Sequence, residues 1–240
     1  MVAALGHLTR VIAGIPVPNT PIVNATISYA QANLPTATYK HVMRSWLNGQ
    51  AIINKFPSAN LANVDQDAHA VAAILHDMGF SNNTQLLSHD KRFEVDGADD
   101  TARSFLQREG GKEWSEARQQ AVWDGIALHG IPNIALHRDF FVALVAAGSQ
   151  IDLAGPEGAK LVYGDMITVT REEYDGIQKE FPFSDGDRPF FVEQLVELCR
   201  SKPDTTYDNY VGDFGERYVA NYSRVGHRAI DFMDYQSSSG

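Results

Sequence analysis

Apolar residues recur at helical spacing in segment after segment of this 240-residue chain, and this periodicity constrains its fold more than any other feature. In the stretch that begins at residue 39, for example, Val42, Trp46 and Ile53 fall on one stripe of a helix. No segment alternates convincingly between apolar and polar residues over the length of a strand; residues 160–170 (KLVYGDMITVT) come nearest. The pattern therefore predicts an all-α fold, a compact single-domain helical bundle.

Residues suited to helix starts precede most of these stripes. Side-chain oxygens of Ser, Thr, Asp and Asn accept hydrogen bonds from the free N–H groups of a first helical turn. The predicted starts are Thr36 or Thr38, Asn63, Ser115, Asp139, Thr170 and Asp187. Thr170 and Glu173 form a capping-box pattern, and a further helix is predicted near 97–109.

The ends of the chain differ in pattern from its middle. Residues 1–24 contain three prolines and little periodicity, so we expect an irregular arm there. We divide the chain into an N-terminal arm packed on the domain (1–35), a helical domain (36–203) and a C-terminal extension (204–240). This length allows one sizeable core.

Charge and cysteine content exclude several classes of protein. The formal net charge of −10 argues against binding to a nucleic-acid backbone. Cys199 is the only cysteine, so an intrachain disulfide and a thiolate zinc cluster are excluded, which fits a reducing cytosol. No signal peptide and no membrane span is apparent. We expect a cytoplasmic protein with a small-molecule substrate and no nucleic-acid or membrane partner, and a homo-oligomer stays open.

One apolar run, AAILHDMGF (residues 72–80), ends in an ionisable pair, His76 and Asp77. Buried charge is costly unless it is paired, hydrogen-bonded or bound to a metal. Adjacent side chains of a helix project about 100° apart, so both can reach an ion that lies between them. A catalytic ion needs three or four ligands, some of them from other helices. The other candidates in apolar helical settings are His41, His129 and Asp152.

The order His41, His76-Asp77, Asp152 resembles the HD superfamily of metal-dependent hydrolases. Five strings between about residues 36 and 155 are similar to those of the cyanamide hydratase-type HD proteins of fungi and bacteria: HVMRSWLNG, AAILHDMGF, RFEVDGADDTARSFL, VWDGIALHG and AAGSQIDLAG. Related hydratases usually read HSMRV and FEFYGG where this chain reads HVMRSW and FEVDGAD, so we expect a different pocket lining.

The resemblance implies a bundle around one divalent ion. Residues 36–203 would be the HD domain, and the implied ligands are His41, His76, Asp77 and Asp152. The implied ion is Zn²⁺, with Fe²⁺ or Mn²⁺ found elsewhere in the superfamily. Each of these ions accepts imidazole and carboxylate ligands.

Four side chains are predicted to take part in the chemistry: Asp77, Glu94, His129 and Arg44. Glu94 would relay a proton or fix a water molecule; the alternative is a salt bridge with Arg92 or Lys91. His129 would contact substrate or bind a second ion; the alternative is a histidine that offsets the dipole at a helix end.

Arg44 lies close to His41 on the same helix edge. It would orient Asp77 or Asp152, or contact an anion. We favour the orienting role, because carboxylates that bind metals are normally hydrogen-bonded themselves. His69 is predicted to be an ordinary helix residue without a role in the site.

Three functions are consistent with these residues. The leading hypothesis is a hydratase, a carbon–nitrogen hydro-lyase that adds metal-activated water to a small nitrile, such as cyanamide to give urea. The second is a phosphohydrolase acting on a nucleotide or other small phosphate ester. It requires at least two cations besides Arg44, and the candidates are Lys40, Arg92, Arg103 and Arg138. The third is a non-catalytic, metal-stabilised interaction module.

Overall fold

The structure, a computed structural model, describes residues 9–56 and 64–237. About 70% of it is helical, which confirms the predicted all-α class. The sheet seen in these residues is a two-stranded antiparallel hairpin of β1 (Thr9–Ile12) and β2 (Ile15–Pro18). None of the described helices combines the length and the apolar character that crossing a bilayer requires.

The irregular arm predicted for residues 1–24 is wrong from residue 9 onward. Ala13 (φ 50°) and Gly14 (φ 80°) form the two-residue turn of the hairpin, where positive φ at both positions suits the strand twist. Helix α1 (Pro21–Asn33) follows, and the Thr20 hydroxyl caps it by accepting from the Val23 N–H. The three prolines mark a short edge strand and the first turn of a helix, two positions that tolerate proline well.

The chain divides into two compact units. The first comprises the described residues up to 87 together with residues 93–183, and the second comprises residues 88–92 and those from 184 onward. The predicted boundary between 35 and 36 falls inside the first unit, and that between 203 and 204 falls inside the second.

Further helices of the first unit are α2 (Thr36–Lys55), α3 (Gln66–Leu75), α4 (Phe93–Arg108), α5 (Glu116–Leu128), α6 (Pro132–Ala135), α7 (Phe140–Tyr163) and α8 (Arg171–Glu180). Helix α4 is composite: α-helical at Phe93–Val95, π-helical at Asp96–Arg103 and α-helical again at Ser104–Arg108. The second unit contains α9 (Asp187–Ser201), α10 (Val211–Tyr218) and α11 (Ala229–Ser237).

Two predicted caps are confirmed. Ser115 accepts from the backbone of Arg118 at the start of α5, and both hydrogen bonds of the Thr170–Glu173 capping box are present at the start of α8. Asp139 is the N-cap residue of α7 and Asp187 is the first residue of α9, as predicted. The caps of α2 and α3 differ from the prediction because local sequence leaves several choices open. Helix α2 begins at Thr36, but its N-cap residue is Pro35 and no side chain caps it, so the cap predicted at Thr36 or Thr38 is wrong. Helix α3 is capped by Asp65, and the predicted cap Asn63 lies outside the described residues.

The strand considered for residues 160–170 is also wrong. Helix α7 continues to Tyr163, and a short 3₁₀ turn, Gly164–Met166, follows it. The helix is kinked at Gly155, whose φ of 72° and ψ of 166° are not helical, and Pro156 restarts it. Proline is tolerated at the first position of a helix because that N–H has no intrahelical partner.

Helix α2 is the central helix of the first unit. All its side chains from residue 41 to residue 53 are buried, and it packs on α3, α7 and β2. A helix buried on every side is normally apolar throughout. This helix instead carries six buried polar side chains: Thr38, His41, Arg44, Ser45, Asn48 and Gln50. Because burying polar groups costs free energy unless they are hydrogen-bonded, this composition indicates a site inside the bundle.

The close contact between α2 and α7 depends on Gly148. A Cβ atom at this position would lie 2.3 Å from the carbonyl oxygen of Ser45, a distance that real contacts do not reach. We therefore expect Gly148→Ala to force the two helices apart and to lower the free energy of unfolding by about 1–3 kcal/mol. Chemical denaturation measures this change.

Gly186→Ala is the matched control for this prediction. Gly186 has a negative φ and no heavy atom within 4 Å of its would-be Cβ. The control should therefore stay within about 0.5 kcal/mol of the parent protein. Equal stability of the Gly148→Ala variant and the control would contradict the close packing of α2 and α7.

Candidate metal centre

Helices α2, α3 and α7 and the turn after α3 carry the four predicted metal ligands. His41 lies in the second turn of α2, and His76 is the residue that ends α3. The prediction that both members of the His76-Asp77 pair lie on a helix is wrong for Asp77. Its φ of −103° and ψ of 21° take the chain out of the helix and into the 3₁₀ turn Met78–Phe80. The two side chains nevertheless point to a common position.

His41, His76 and Asp77 form a buried cluster that could hold a metal ion. The Nε2 atoms of His41 and His76 lie 3.2 Å apart. The Oδ2 atom of Asp77 lies 3.5 Å from the first and 3.6 Å from the second. The relative exposures are 3%, 0% and 4% for the three residues in chain order, so bulk water does not screen these groups. Three of the four predicted ligands therefore meet at one point.

Hydrogen bonds on the opposite ring nitrogens fix the tautomers of both histidines. The Nδ1 of His76 donates to the backbone carbonyl of Ala73 at 2.8 Å, and that of His41 donates to a carboxylate oxygen of Asp152 at 2.7 Å. Both acceptors lack a proton, so each neutral ring carries its proton on Nδ1. The two Nε2 lone pairs then face each other and the Asp77 carboxylate. Such a contact is stable only with a cation between the groups.

The electrostatics of the cluster favour a metal ion over a proton as that cation. Burial lowers the pKa of His76 to about 3, although the charge of Asp77 acts in the opposite direction. Burial would raise the pKa of Asp77, but the neighbouring histidines outweigh it and hold that pKa below its usual range. Near neutral pH the cluster therefore offers the neutral imidazole of His76 and the carboxylate of Asp77, beside the Nε2 atom of His41. This donor set suits Zn²⁺ and other divalent transition metals.

His129 lies on the other side of the Asp77 carboxylate. It ends α5, its Nδ1 donates to the carbonyl of Ile126 at 2.7 Å, and its Nε2 lies 3.5 Å from Oδ1 of Asp77. Burial lowers the pKa of His129, but its hydrogen bond to Asp77 and the charges of Asp77 and Glu94 outweigh this and raise it. His129 is thus beside the cluster, where it can hold and release a proton.

Glu94 reaches the same region because two glycines permit close backbone contacts. A Cβ on Gly79 would lie 2.1 Å from the carbonyl oxygen of Phe93, and one on Gly97 would lie 3.3 Å from that of His76. The first turn of α4 therefore packs directly on the turn that carries Asp77. Glu94 is buried there, at 1% exposure, and lies two residues before the start of the π-helical segment at Asp96. Single π-helical turns are frequent at functional sites.

Asp152 lies behind His41 and outside the three-residue cluster. Its Oδ2 accepts from His41 Nδ1 and from Arg44 Nη2, at 2.7 and 2.8 Å. Its Oδ1 accepts from Arg44 Nε at 2.5 Å and from Gln178 Nε2 at 3.2 Å. A carboxylate has about four lone-pair positions, and here all four are in use. This arrangement therefore favours Asp152 as the hydrogen-bond acceptor that orients His41, rather than as the predicted metal ligand.

Arg44 makes the bidentate contact with Asp152 that an orienting residue requires, and it is completely buried. Sequence reasoning missed Gln178, because nothing in the local pattern of α8 distinguishes it from a surface glutamine. It also missed the burial of His69, which was assigned an ordinary helix position. His69 is fully buried, and neither ring nitrogen has a hydrogen-bond partner among the described residues.

Comparisons with known proteins add no identification. No protein-family model matches the chain, and no curated protein matches it significantly. The metal centre is therefore interpreted from its geometry.

The burial of His69 predicts a specific pH dependence of stability. Burial lowers the pKa of His69 to about 3, whereas the unfolded chain has the usual value of about 6.5. Below pH 6.5 the unfolded state binds a proton that the folded state does not, so this histidine destabilises the fold as the pH falls. We expect His69→Met to reduce the loss of unfolding free energy between pH 7 and pH 5 by about 2 kcal/mol.

Denaturation of the metal-free protein at both pH values measures this difference. His137 is exposed, so its side chain is solvated in both states, and His137→Met is the matched control. An identical pH dependence in the parent, the His69→Met variant and the control would contradict a buried neutral His69.

Proposed function

We propose that this protein is a metal-dependent hydratase or hydrolase of the HD type, with one divalent ion, Zn²⁺ in the first instance, held by His41, His76 and Asp77. The observation that carries the proposal is the contact of two Nε2 lone pairs, 3.2 Å apart, beside a buried carboxylate. The resemblance of the His41, His76-Asp77, Asp152 order to HD proteins supports the same conclusion.

The surrounding side chains suit the activation of water. A divalent ion with an open position lowers the pKa of a coordinated water toward ~7, which supplies hydroxide at neutral pH. His129 lies 3.5 Å from Asp77, and the charge of Glu94 acts on His129. These two side chains can accept a proton from the attacking water and return it to the product. Asp77 links the histidine pair to His129, since one of its oxygens faces His41 and His76 and the other faces His129.

The burial and charge of the site favour a small neutral substrate. All the site residues are at most 8% exposed, which favours a compact substrate over a nucleotide. Several arginines proposed for an anionic substrate are engaged elsewhere. Arg44 is bound to Asp152, Arg103 lies 3.7 Å from Asp99, and Arg138 pairs with Asp124. A phosphate ester would need cations that these ion pairs already use.

Hydration of a nitrile meets these requirements. The oxygen of water bonds to the nitrile carbon, one proton goes to the nitrile nitrogen, and no group leaves. With cyanamide the first product is an isourea, and transfer of the remaining hydroxyl proton to nitrogen gives urea. The site must then handle protons but needs no group to stabilise a departing anion, which agrees with His129 and Glu94 as its buried acid–base pair.

The first test combines metal content with urea formation. We expect the purified protein to hold about one divalent ion per chain and to form urea from cyanamide. Asp77→Ala should lose both properties while its far-UV circular dichroism stays helical. Asp165→Ala, which removes an exposed carboxylate, is the control and should keep both. Elemental analysis and a urea assay are the measurements.

Each alternative function predicts a different result in the same assays. Phosphate release from a nucleotide panel without urea would replace the hydratase by a phosphohydrolase. A fully metallated protein that turns over neither class of substrate would be a metal-stabilised interaction module. Stoichiometric metal in the Asp77→Ala variant would contradict the assignment of Asp77 as a ligand.

A second test separates proton transfer from metal binding. Glu94→Gln keeps the shape of the side chain but removes its basic carboxylate. We expect it to retain the metal and to lower kcat for urea formation by about 10²–10⁴-fold. Glu109→Gln, at an exposed position just after α4, is the control and should leave kcat unchanged. A Glu94→Gln variant with full activity would remove Glu94 from the mechanism.

A further inference from the structure

We propose that Gln178 is a positioning residue of the metal centre, which acts on the ion through Asp152 and His41. The proposal rests on the metal site proposed above, since it assigns the residue that sets the ion affinity of that site. It is carried by a continuous set of hydrogen bonds from α8 to α2, partly buried at Gln178 and buried at Asp152 and His41. Gln178 donates to Asp152 at 3.2 Å, and Asp152 accepts from His41 Nδ1 at 2.7 Å.

The Gln178 amide supplies the fourth donor to the Asp152 carboxylate. Arg44 provides two donors and His41 the third, so the side-chain amide completes the set on Oδ1. An N–H donor at this position stabilises the ionised carboxylate and resists its rotation. The carboxylate in turn fixes the ring plane and the tautomer of His41, which directs its Nε2 to the cluster.

Helix α8 is fixed along α2 at both ends, so that Gln178 is held in place. At its start, Lys55 pairs with Glu173 and donates to the carbonyl of Thr168 at 2.7 Å. At its end, the carbonyl of Phe181 accepts from Arg44 Nη1 at 3.1 Å. Ile177, next to Gln178, is fully buried between these two attachments.

Aromatic contacts reinforce the second attachment. The Phe183 ring centroid lies 5.2 Å from the guanidinium carbon of Arg44, and the rings of Phe181 and Tyr39 meet edge to face at 6.5 Å. Arg44 therefore links the end of α8 to Asp152 on α7. The position of α8 and the orientation of His41 are coupled through this one guanidinium.

The experiment compares two substitutions that keep the length of the glutamine side chain. Gln178→Met removes the donor, and Gln178→Glu replaces it by a carboxylate that repels Asp152. Partners of metal ligands typically contribute 10–100-fold to affinity, so we expect Gln178→Met to raise the Kd for Zn²⁺ about tenfold. Gln178→Glu should raise it further. Lys179→Met, at the exposed neighbouring position, is the control and should leave the Kd unchanged.

Competition with a chromophoric chelator measures the Kd, and the melting temperature of each metal-free variant reports any general loss of structure. The positioning role is supported if the affinity for Zn²⁺ falls from the parent protein to Gln178→Met and again to Gln178→Glu, while the melting temperatures of the metal-free variants stay unchanged. Equal Kd values within twofold for all four proteins would overturn it. Equal losses in the Met and Glu variants would also overturn it, since a packing role does not depend on charge.

A second readout tests the positioning role even if the protein binds no zinc at all. The lack of zinc binding would refute the proposed function but not the positioning role. In the metal-free protein the His41 Nδ1 proton, held by Asp152, should give a protected downfield NMR resonance. Gln178→Met should speed its exchange with solvent severalfold, whereas Lys179→Met should not. A resonance that is unaffected by Gln178→Met would refute the positioning role independently of metal.

Discussion

The bidentate ion pair between Arg44 and Asp152 is the interaction on which the rest of the first unit depends. Both side chains are buried, and together they join α2 to α7 at the end of the bundle where His41 lies. Removal of either partner would leave an uncompensated charge in the core, which typically costs 3–5 kcal/mol. The helices around the site are therefore fixed by the same charged groups that orient its first histidine.

This dependence explains the unusual composition of α2. A central helix made only of apolar residues would pack well but could not place an imidazole nitrogen and its supporting carboxylate in the core. Here the apolar stripe of Val42, Trp46 and Ile53 stabilises the helix, while His41 and Arg44 occupy the positions that face α7 and the turn after α3. His41 and Arg44 are tolerated in the core because both are hydrogen-bonded to Asp152.

Much of the fold could be predicted from the sequence, because helical periodicity and capping are local properties. The start of α5 at Ser115 and the capping box at Thr170 depend only on neighbouring residues and were predicted correctly. The hairpin was missed because strands of four residues are too short for an alternating pattern to stand out. The apolar periodicity of the sequence fails near Gly155, but helix α7 continues past the kink at this residue to Tyr163.

For the site, sequence order was enough to find His41, His76 and Asp77, because their residue types and helical settings restrict what they can do. The function of Asp152 and Gln178 was out of reach for a different reason. The packing of α2, α7 and α8 decides which nitrogen of His41 meets a carboxylate. It also decides which surface helix lies close enough to donate a hydrogen bond to that carboxylate. No local pattern reports that packing.

The arrangement of acceptors behind the histidines shows what the fold contributes to the chemistry. His41, His76 and His129 each have Nδ1 committed to an oxygen acceptor, and each directs Nε2 toward the Asp77 carboxylate. Two of these acceptors are backbone carbonyls three residues earlier, at the end of a helix. The ends of α3 and α5 thus set the tautomers of His76 and His129 with hydrogen bonds to their own last turns. Because the rings are oriented before any ion arrives, binding need not supply the free energy of ordering them.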